Sequence, residues 1–597
     1  MRQINNHSNV LSFSAQPISK RARTGVNANR EITVFEGTKP PLLSLSRPTH
    51  LNIIERLGLK DITRLKQVCT YFRKLIKEEG SLAKEWYRRF SSAHQFLLKT
   101  VVTAKSDQQL SAWLGQFTNN QALIDSVLKR RDDNGLSPAL LFFNNTNLMS
   151  QCETFNVDKK VTISHKGFIN SATFSKDGLH VVTASDDGTA KIYDKELDGS
   201  WTKKATIAHD KSVASATFSA DGRHAVTIGE DHKVKLYGRN DDGSWQAKAT
   251  ISHDSFVKSA TFSADGRYLV TASDDGTARI YGYEDDGTWK AKATIFHNGY
   301  ISSATFSADS RYVLTASGDH TVKIHSKEHD GSWLESGIIY HNDLISSATF
   351  NADASRVMTT SYDGGAKIYG QEEGGTWEEN SAYYATHADS VAFSANGNYL
   401  VTVSDDYTVR IYGHEDDGLL GLKTTIFHKN KVNSAAFSPD GSHVVTASND
   451  GKAKIYGQNK DGSWEEKATI HHAGDVNSAT FSADGRYVVT AGDDGKVKIY
   501  GRESDGSWKK KTTIYHNGRV YSATFSTDGR HIVTASKDKT SKIIGLTAEE
   551  SWVEKATISH RGLVSSATFS GDCSHVLTTA ADNGYHKAKI TELRMNE

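Results

Sequence analysis

The chain has 597 residues, a formal net charge of +1 and three cysteines. Near-neutrality leaves no global pull toward nucleic acid or an anionic membrane. Cys69, Cys152 and Cys573 stand too far apart for a metal knuckle or a disulfide framework. No apolar run approaches the ~20 residues of a membrane span, and the length exceeds what one ordinary core fills.

Residues 1–38 are polar, rich in Asn and Ser and without periodicity, as expected of a disordered tail. Lys20-Arg21-Ala22-Arg23 reads as a solvated charge cluster, with a weak nuclear signal as its other reading. From Lys39 the apolar residues fall at helical spacing. Ile53, Ile54, Leu57, Ile62, Leu65, Val68, Cys69, Phe72 and Leu75 recur three and four apart, and Trp86 follows. An apolar pair (Ile53-Ile54), a loop ending in Asp61, an apolar helix with Leu65 ending in Val68-Cys69, then Phe72-Arg73 and Trp86 resemble an F-box. Pro48 stands closer to Ile53 than that family's leading proline. The resemblance covers about 45 residues inside a helical domain placed at 39–95. It implies a surface for a Skp1-like adaptor built from Ile53, Ile54, Leu57, Ile62, Leu65, Val68, Cys69 and Phe72. A plain helical cap is the other reading.

Residues 96–156 continue in helical pattern, with Leu110, Trp113, Leu114, Phe117, Leu123, Ile124, Val127 and Leu128 as a core-facing stripe. They read either as a spacer or as a small domain of their own.

Everything from 157 to 597 is repetitive. The Phe of an FSxDG segment recurs at Phe174, Phe218, Phe262, Phe306, Phe350, Phe393, Phe437, Phe481, Phe525 and Phe569. The steps are 44 residues except the one to Phe393, which is 43. A fixed period of this size marks stacked units that cannot bury their apolar faces alone. Within one unit, VNSATFS, RYVVTAG, KVKIYG and SWKKKTTIY are β-branched and alternating, separated by Asp-Gly turns. Four antiparallel strands per unit make one blade of a β-propeller.

The His nine residues before each Phe, the FSxDG segment, a Thr and a later Asp are similar to WD40 repeats. That resemblance implies a buried hydrogen-bonded tetrad of His, Ser or Thr, Asp and Trp in each unit. In the first unit it maps to His165, Thr183, Asp187 and Tyr193, the Trp slot holding Tyr here. His325 and Ile544 occupy that slot in units four and nine, so those blades are expected to be weaker. Unit six departs at the His, where Tyr384 takes the slot by counting and His387 is displaced. A residue recurring once per blade cannot converge on one site, so the histidines read as structural rather than catalytic or metal-binding.

VDKKVTISH at 157–165 reproduces the end of a repeat, while the last unit lacks a fourth strand. The N-terminal strand should therefore complete the last blade and close the ring, leaving no open edge. Ten units make either one ring, with more blades than the family mostly uses, or two smaller rings split near unit six. The fold class is thus α+β multidomain: a small helical bundle ahead of an all-β propeller of ten repeats.

Asp194 to Ala205 begins like a calcium loop but lacks its closing carboxylate, and hairpin chemistry explains it better. No phosphate-cradling loop or nucleophile elbow is present, so nothing calls for an enzyme or a cofactor. Specificity must lie in what varies between blades. By the family's geometry Phe168, Phe256, Tyr300 and Leu344 form an aromatic and apolar arc on the top face. Lys258, Lys431, Arg519 and Arg561 form a basic sector suited to an acidic or phosphorylated peptide, and Tyr521 varies beside them. An F-box-like bundle ahead of such a propeller resembles the substrate receptors of SCF ubiquitin ligases. That implies a Skp1-like adaptor, a cullin ligase core and a target protein as partners, with no nucleic acid or membrane. A propeller scaffold without a ubiquitin role is the competing reading. The expected location is the cytoplasm, or a host cytosol if a bacterium exports the chain.

Overall fold

Alternating β-branched strands separated by Asp-Gly turns give ten four-stranded antiparallel sheets. The computed structural model describes residues 154–595 apart from 197, 364, 373–375, 385–387, 396, 415–419, 548 and 583–584, together with the single residue Ser111. The tail at 1–38, the F-box-like segment at 39–95 and nearly all of the helical stretch at 96–156 lie outside the described residues.

Blade one runs from the inner strand Ile169–Phe174 through His180–Ser185 and Thr189–Lys195 to the outer strand Trp201–Ala208. Blades two to nine repeat that order. Blade ten is built from Val564–Phe569, His575–Asp582 and Tyr585–Met595, with Phe155–His165 as its outer strand. That strand pairs antiparallel with the chain's last one, from Phe155 opposite Met595 to His165 opposite His586. The closure expected from the sequence is therefore present, and the closing strand starts two residues earlier than expected, at Phe155.

One ring, not two, holds all ten blades. Apolar cores run from blade to blade: Val226 and Leu236 of blade two pack with Leu269 of blade three, and Met358 of blade five packs with Leu400 of blade six. The seam is filled in the same way, with Ile163, Leu577 and Ile590 of blade ten against Val181 and Trp201 of blade one.

The second strand of each blade is buried on both faces, as in HVVTAS at His180–Ser185. The third strand alternates, burying Ala190, Ile192 and Asp194. The first residue of the outer strand carries the load at the lower rim. Trp245 of blade two stands edge-on to His180 of blade one at 5.6 Å. The same contact joins Trp289 to His224 at 5.2 Å, Trp333 to Tyr268 at 5.5 Å and Trp508 to His443 at 5.7 Å. Across the seam Trp201 meets His575 at 5.7 Å. Blade ten has no Trp at this place; Phe155 takes it, 5.6 Å from His531 of blade nine.

Unit six needs a correction. Gly365 pairs with Tyr384 as Thr189 pairs with Ala208 and Thr321 with Tyr340. Tyr384 is therefore the last residue of the outer strand, not the occupant of the histidine slot. The missing residue falls in the connection after it, where 385–387 lie outside the described residues. Counting back from the Phe anchor misplaced the gap because a deletion shifts everything on its far side.

Phe155 is 5% exposed and closes the ring from the N-terminal side. Phe155→Ala should lower stability by about 3–5 kcal/mol, the usual cost of emptying a buried aromatic site. A urea titration of the full chain checks this. An unchanged midpoint would show that strand pairing alone closes the ring.

Candidate functional site

The connections between blades and the turns between second and third strands share the upper face. Among the described residues eight connections are pinned by a three-residue clamp. His165, ending the outer strand of blade ten, sets Nδ1 at 2.9 Å from Asp187 Oδ2 and Nε2 at 2.8 Å from Thr183 Oγ1, both in blade one. His209, His253, His297, His341, His428, His472 and His516 repeat the arrangement toward the next blade, with Asp at 2.8–3.1 Å and Thr at 2.8–2.9 Å. The carboxylate also accepts the backbone N–H just beyond the histidine, as Asp187 does from Lys166 at 2.9 Å.

Burial holds these imidazoles below their ordinary value, although Asp187 and its counterparts pull the other way. A neutral ring donating Nδ1–H to the carboxylate must accept at Nε2, which suits a Thr hydroxyl donor. Burial would raise the Asp187 pKa, but hydrogen bonds from Thr189, the Lys166 N–H and His165 outweigh it and bring it to about 2.

The fourth place in the network is not Tyr193. Its hydroxyl makes no hydrogen bond to the clamp, and its ring packs on the core shared by blades ten and one. Thr189 stands there instead, donating to Asp187 Oδ1 at 2.6 Å with its oxygen 3.2 Å from His165 Nδ1. Blades four and nine are consequently not short of a bond. His297–Asp319–Thr321 and His516–Asp538–Thr540 are complete although His325 and Ile544 fill the tyrosine slot. The Thr is not general, since Lys233, Lys452 and Lys496 hold that place in blades two, seven and eight. The clamp itself fails in blade ten, where His560 leaves both ring nitrogens unpartnered and burial pulls it down to about 4.

The variable residues surround these clamps. Phe168 is 61% exposed and lies 3.9 Å from the His586 ring of blade ten, while Phe256 is 47% exposed and edge-on to His232 of blade two. Tyr300 is exposed and lies against Gly318, where a Cβ would overlap its ring. Leu344 and Tyr521 are half-buried. Phe256, Tyr300 and Leu344 occupy successive connections, whereas Phe168 is set apart from them by Ser212.

The charges do not form one sector. Lys258 belongs to blade three and pairs with Asp274 at 3.0 Å. Arg519 pairs with Asp493 of blade eight at 2.6 Å. Lys431 and Arg561 are exposed and make no ion pair among the described residues. What the sequence missed is the residue twelve beyond the Phe, which in blades one and eight touches the loop of its own blade and of the next, Asp493 accepting from Asn477 and pairing with Arg519. Asp186, for example, accepts from Ser212 at 2.7 Å and from Asn170 at 2.6 Å. Among the described residues no group of three His, Cys, Asp or Glu could hold a metal ion.

The profile of the WD domain, G-beta repeat family matches 158–194, 201–238, 245–282, 289–326, 382–413, 421–457, 464–501 and 508–544. The F-box domain profile matches 42–84. This chain is an F-box and WD40-repeat protein. No curated protein matches it significantly. The two repeats outside the WD40 match are blades five and ten, where Asn351-Ala-Asp-Ala354 and Ser570-Gly-Asp-Cys573 replace the FSxDG turn, yet both fold as full blades. In this F-box and WD40-repeat protein all eight apolar residues assigned to the adaptor surface fall inside the F-box match, and all lie outside the described residues.

Two outcomes check the clamp. Asp494→Ala strands the His472 Nδ1–H and the Ala473 N–H, and should cost about 1–3 kcal/mol. Tyr500→Phe removes a hydroxyl outside the clamp and should stay within about 0.5 kcal/mol in the same urea titration. The pH dependence has a definite sign. The clamp histidines sit below the ordinary 6.5 in the folded state, so unfolding takes up protons once the pH falls below that value. The melting temperature should therefore be level above pH 6.5 and decline below it. A second decline should begin near 3.8, where unfolded carboxylates protonate while Asp187, Asp319 and Asp538 are held at about 2. Scanning calorimetry across pH reads both declines.

Proposed function

We propose that this chain is the substrate receptor of an SCF-type ubiquitin ligase. The observation that supports it is the pairing on one chain of an F-box match at 42–84 with a closed propeller whose upper face varies while its clamps repeat. In this reading Ile53, Ile54, Leu57, Ile62, Leu65, Val68, Cys69 and Phe72 seat a Skp1-like adaptor, itself held by a cullin core. The target rests on the upper face at Phe168, Phe256, Tyr300 and Leu344, with Lys431 and Tyr521 further round. Lys258 and Arg519 contribute only where a ligand carboxylate or phosphate displaces Asp274 or Asp493. The work done is proximity: tethering raises the effective concentration of target lysines at the ubiquitin-loaded enzyme. The chain contributes recognition, and the bond-making residues belong to its partners.

The test is titration of purified Skp1 into the full chain by calorimetry, beside a Leu65→Asp, Phe72→Asp double variant. Stoichiometric binding is expected, weakened about a hundredfold or more in the variant as two apolar anchors are lost, with the propeller's melting unchanged. No binding by the intact chain would overturn the receptor reading in favour of a propeller scaffold.

A further inference from the structure

The upper ends of the outer strands divide the ring into two arcs. Phe296, Tyr340, Phe427 and Tyr515, on blades three, four, six and eight, are 66, 63, 67 and 64% exposed, and His471 on blade seven is exposed with them. At the same register place blades nine, ten, one and two carry Ser559, Ser164, Ala208 and Ser252. An ordered band of large exposed rings is more than the scattered apolar exposure of a monomer surface and marks a place where something docks.

Any arc has a mirror line. Here it passes between blades five and six and, on the far side, between ten and one. A second set of residues, two positions further along in each connection, tests that line independently, because its charge inverts across it. Asp254 after blade two is mirrored by Arg561 after blade nine, and Asp210 after blade one by Lys166 after blade ten. Asn298 after blade three is mirrored by Asn517 after blade eight. All six are exposed. Asp254 and Arg561 make no side-chain ion pair, while Asp210 reaches Lys233 at 2.7 Å in the open. Two positions further still, Phe256 is mirrored by Leu563 and Tyr300 by Arg519; Leu344 opposite Asp475 and Phe168 opposite Ser212 are the mismatches.

A two-fold axis lying along this line, in the plane of the upper face, sets each place of one molecule on its mirror place in another. Ring then meets ring, small residue meets small residue, and carboxylate meets cation. That self-complementarity is what an isologous interface requires. We propose that the upper face of this propeller docks a second copy of the same chain, face to face. A stable pair needs about 800 Å² from each partner. Four rings offering 150–250 Å² apiece, about two-thirds exposed, supply about half of it or more, and the charged connections set the register. The proposal goes beyond target holding and does not depend on the ubiquitin reading. A face occupied by a second copy cannot hold a target, so association makes the free face depend on protein concentration.

Sedimentation velocity of the purified full chain, with no adaptor present, tests this. At low salt and up to about 50 μM the chain should form a dimer that salt weakens. Asp254→Arg alone and Arg561→Asp alone each place like charges together twice per dimer and should weaken it about tenfold or more. Mixed in equal amounts, the two variants again meet opposite charges at both places, so the dimer should return as a heterodimer. Three results each overturn the proposal: a monomeric wild-type chain at the highest concentration, variants that dimerise like wild type, or a mixture that stays monomeric. Recovery on mixing also shows that both variants fold.

Discussion

At eight junctions of this ring, among the described residues, one imidazole ties blade to blade. The histidine ending an outer strand is the last residue held by its own blade and the first to bond the next, through Thr183 and Asp187 in the case of His165. Its burial keeps it neutral, its neutrality fixes the tautomer, and the tautomer fixes which side faces the carboxylate. Below it, at the opposite rim, an indole from the following blade stands edge-on to an aromatic ring of the preceding one, as Trp245 does to His180. Where both are present, clamp above and staple below hold a blade at two ends; blade six starts its outer strand at Leu420 where the others have an aromatic residue. Specificity is then left to side chains that neither device uses.

This division explains why so much of the architecture was legible in the sequence. The 44-residue period, the strand pattern and the unpaired first strand predict a closed propeller, and the register from Phe155 to His165 confirms the closure. The clamp was legible too, because His, Thr and Asp recur at fixed offsets. The tyrosine was not. An aromatic beside the network in sequence reads as a member, but Tyr193 faces an inter-blade core and Thr189 does its bonding. Which neighbour a side chain meets across a junction is a tertiary fact, absent from any single repeat. The staple shows the same limit: Trp201 and Phe155 stand at the starts of outer strands, and only the packed ring shows that Phe155 substitutes for a Trp.

Charge was the least legible feature. Lys258, Lys431 and Arg519 share a variable region in sequence, which suggested a sector. In the ring they lie on separate blades, and two of them already hold carboxylates. The partner of Lys258 is 16 residues away and that of Arg519 is 26 residues back, in another blade. A net count over a face therefore says little until each cation's neighbour is known. After that accounting the cations left without ion partners among the described residues include Lys431 and Arg561, and the exposed apolar groups outweigh them as anchors.

Closing the ring removes two edges but leaves ten outer strands facing outward. Each is a row of backbone groups on which another chain could pair. The outer strands answer this with charge in the first three positions after the Trp, where Lys203-Lys204, Glu465-Glu466 and Lys509-Lys510 are exposed. Inward-facing positions of the same strands stay apolar, as Ile207, Ile470 and Trp508 show. One strand thus carries a staple at its start, charges that discourage edge pairing along its middle, and the clamp just past its end. The position just before the histidine is outward and belongs to neither staple nor clamp. It is there that the blades differ between ring-bearing and small side chains, because a change at that place disturbs neither the core beneath nor the junction beside it.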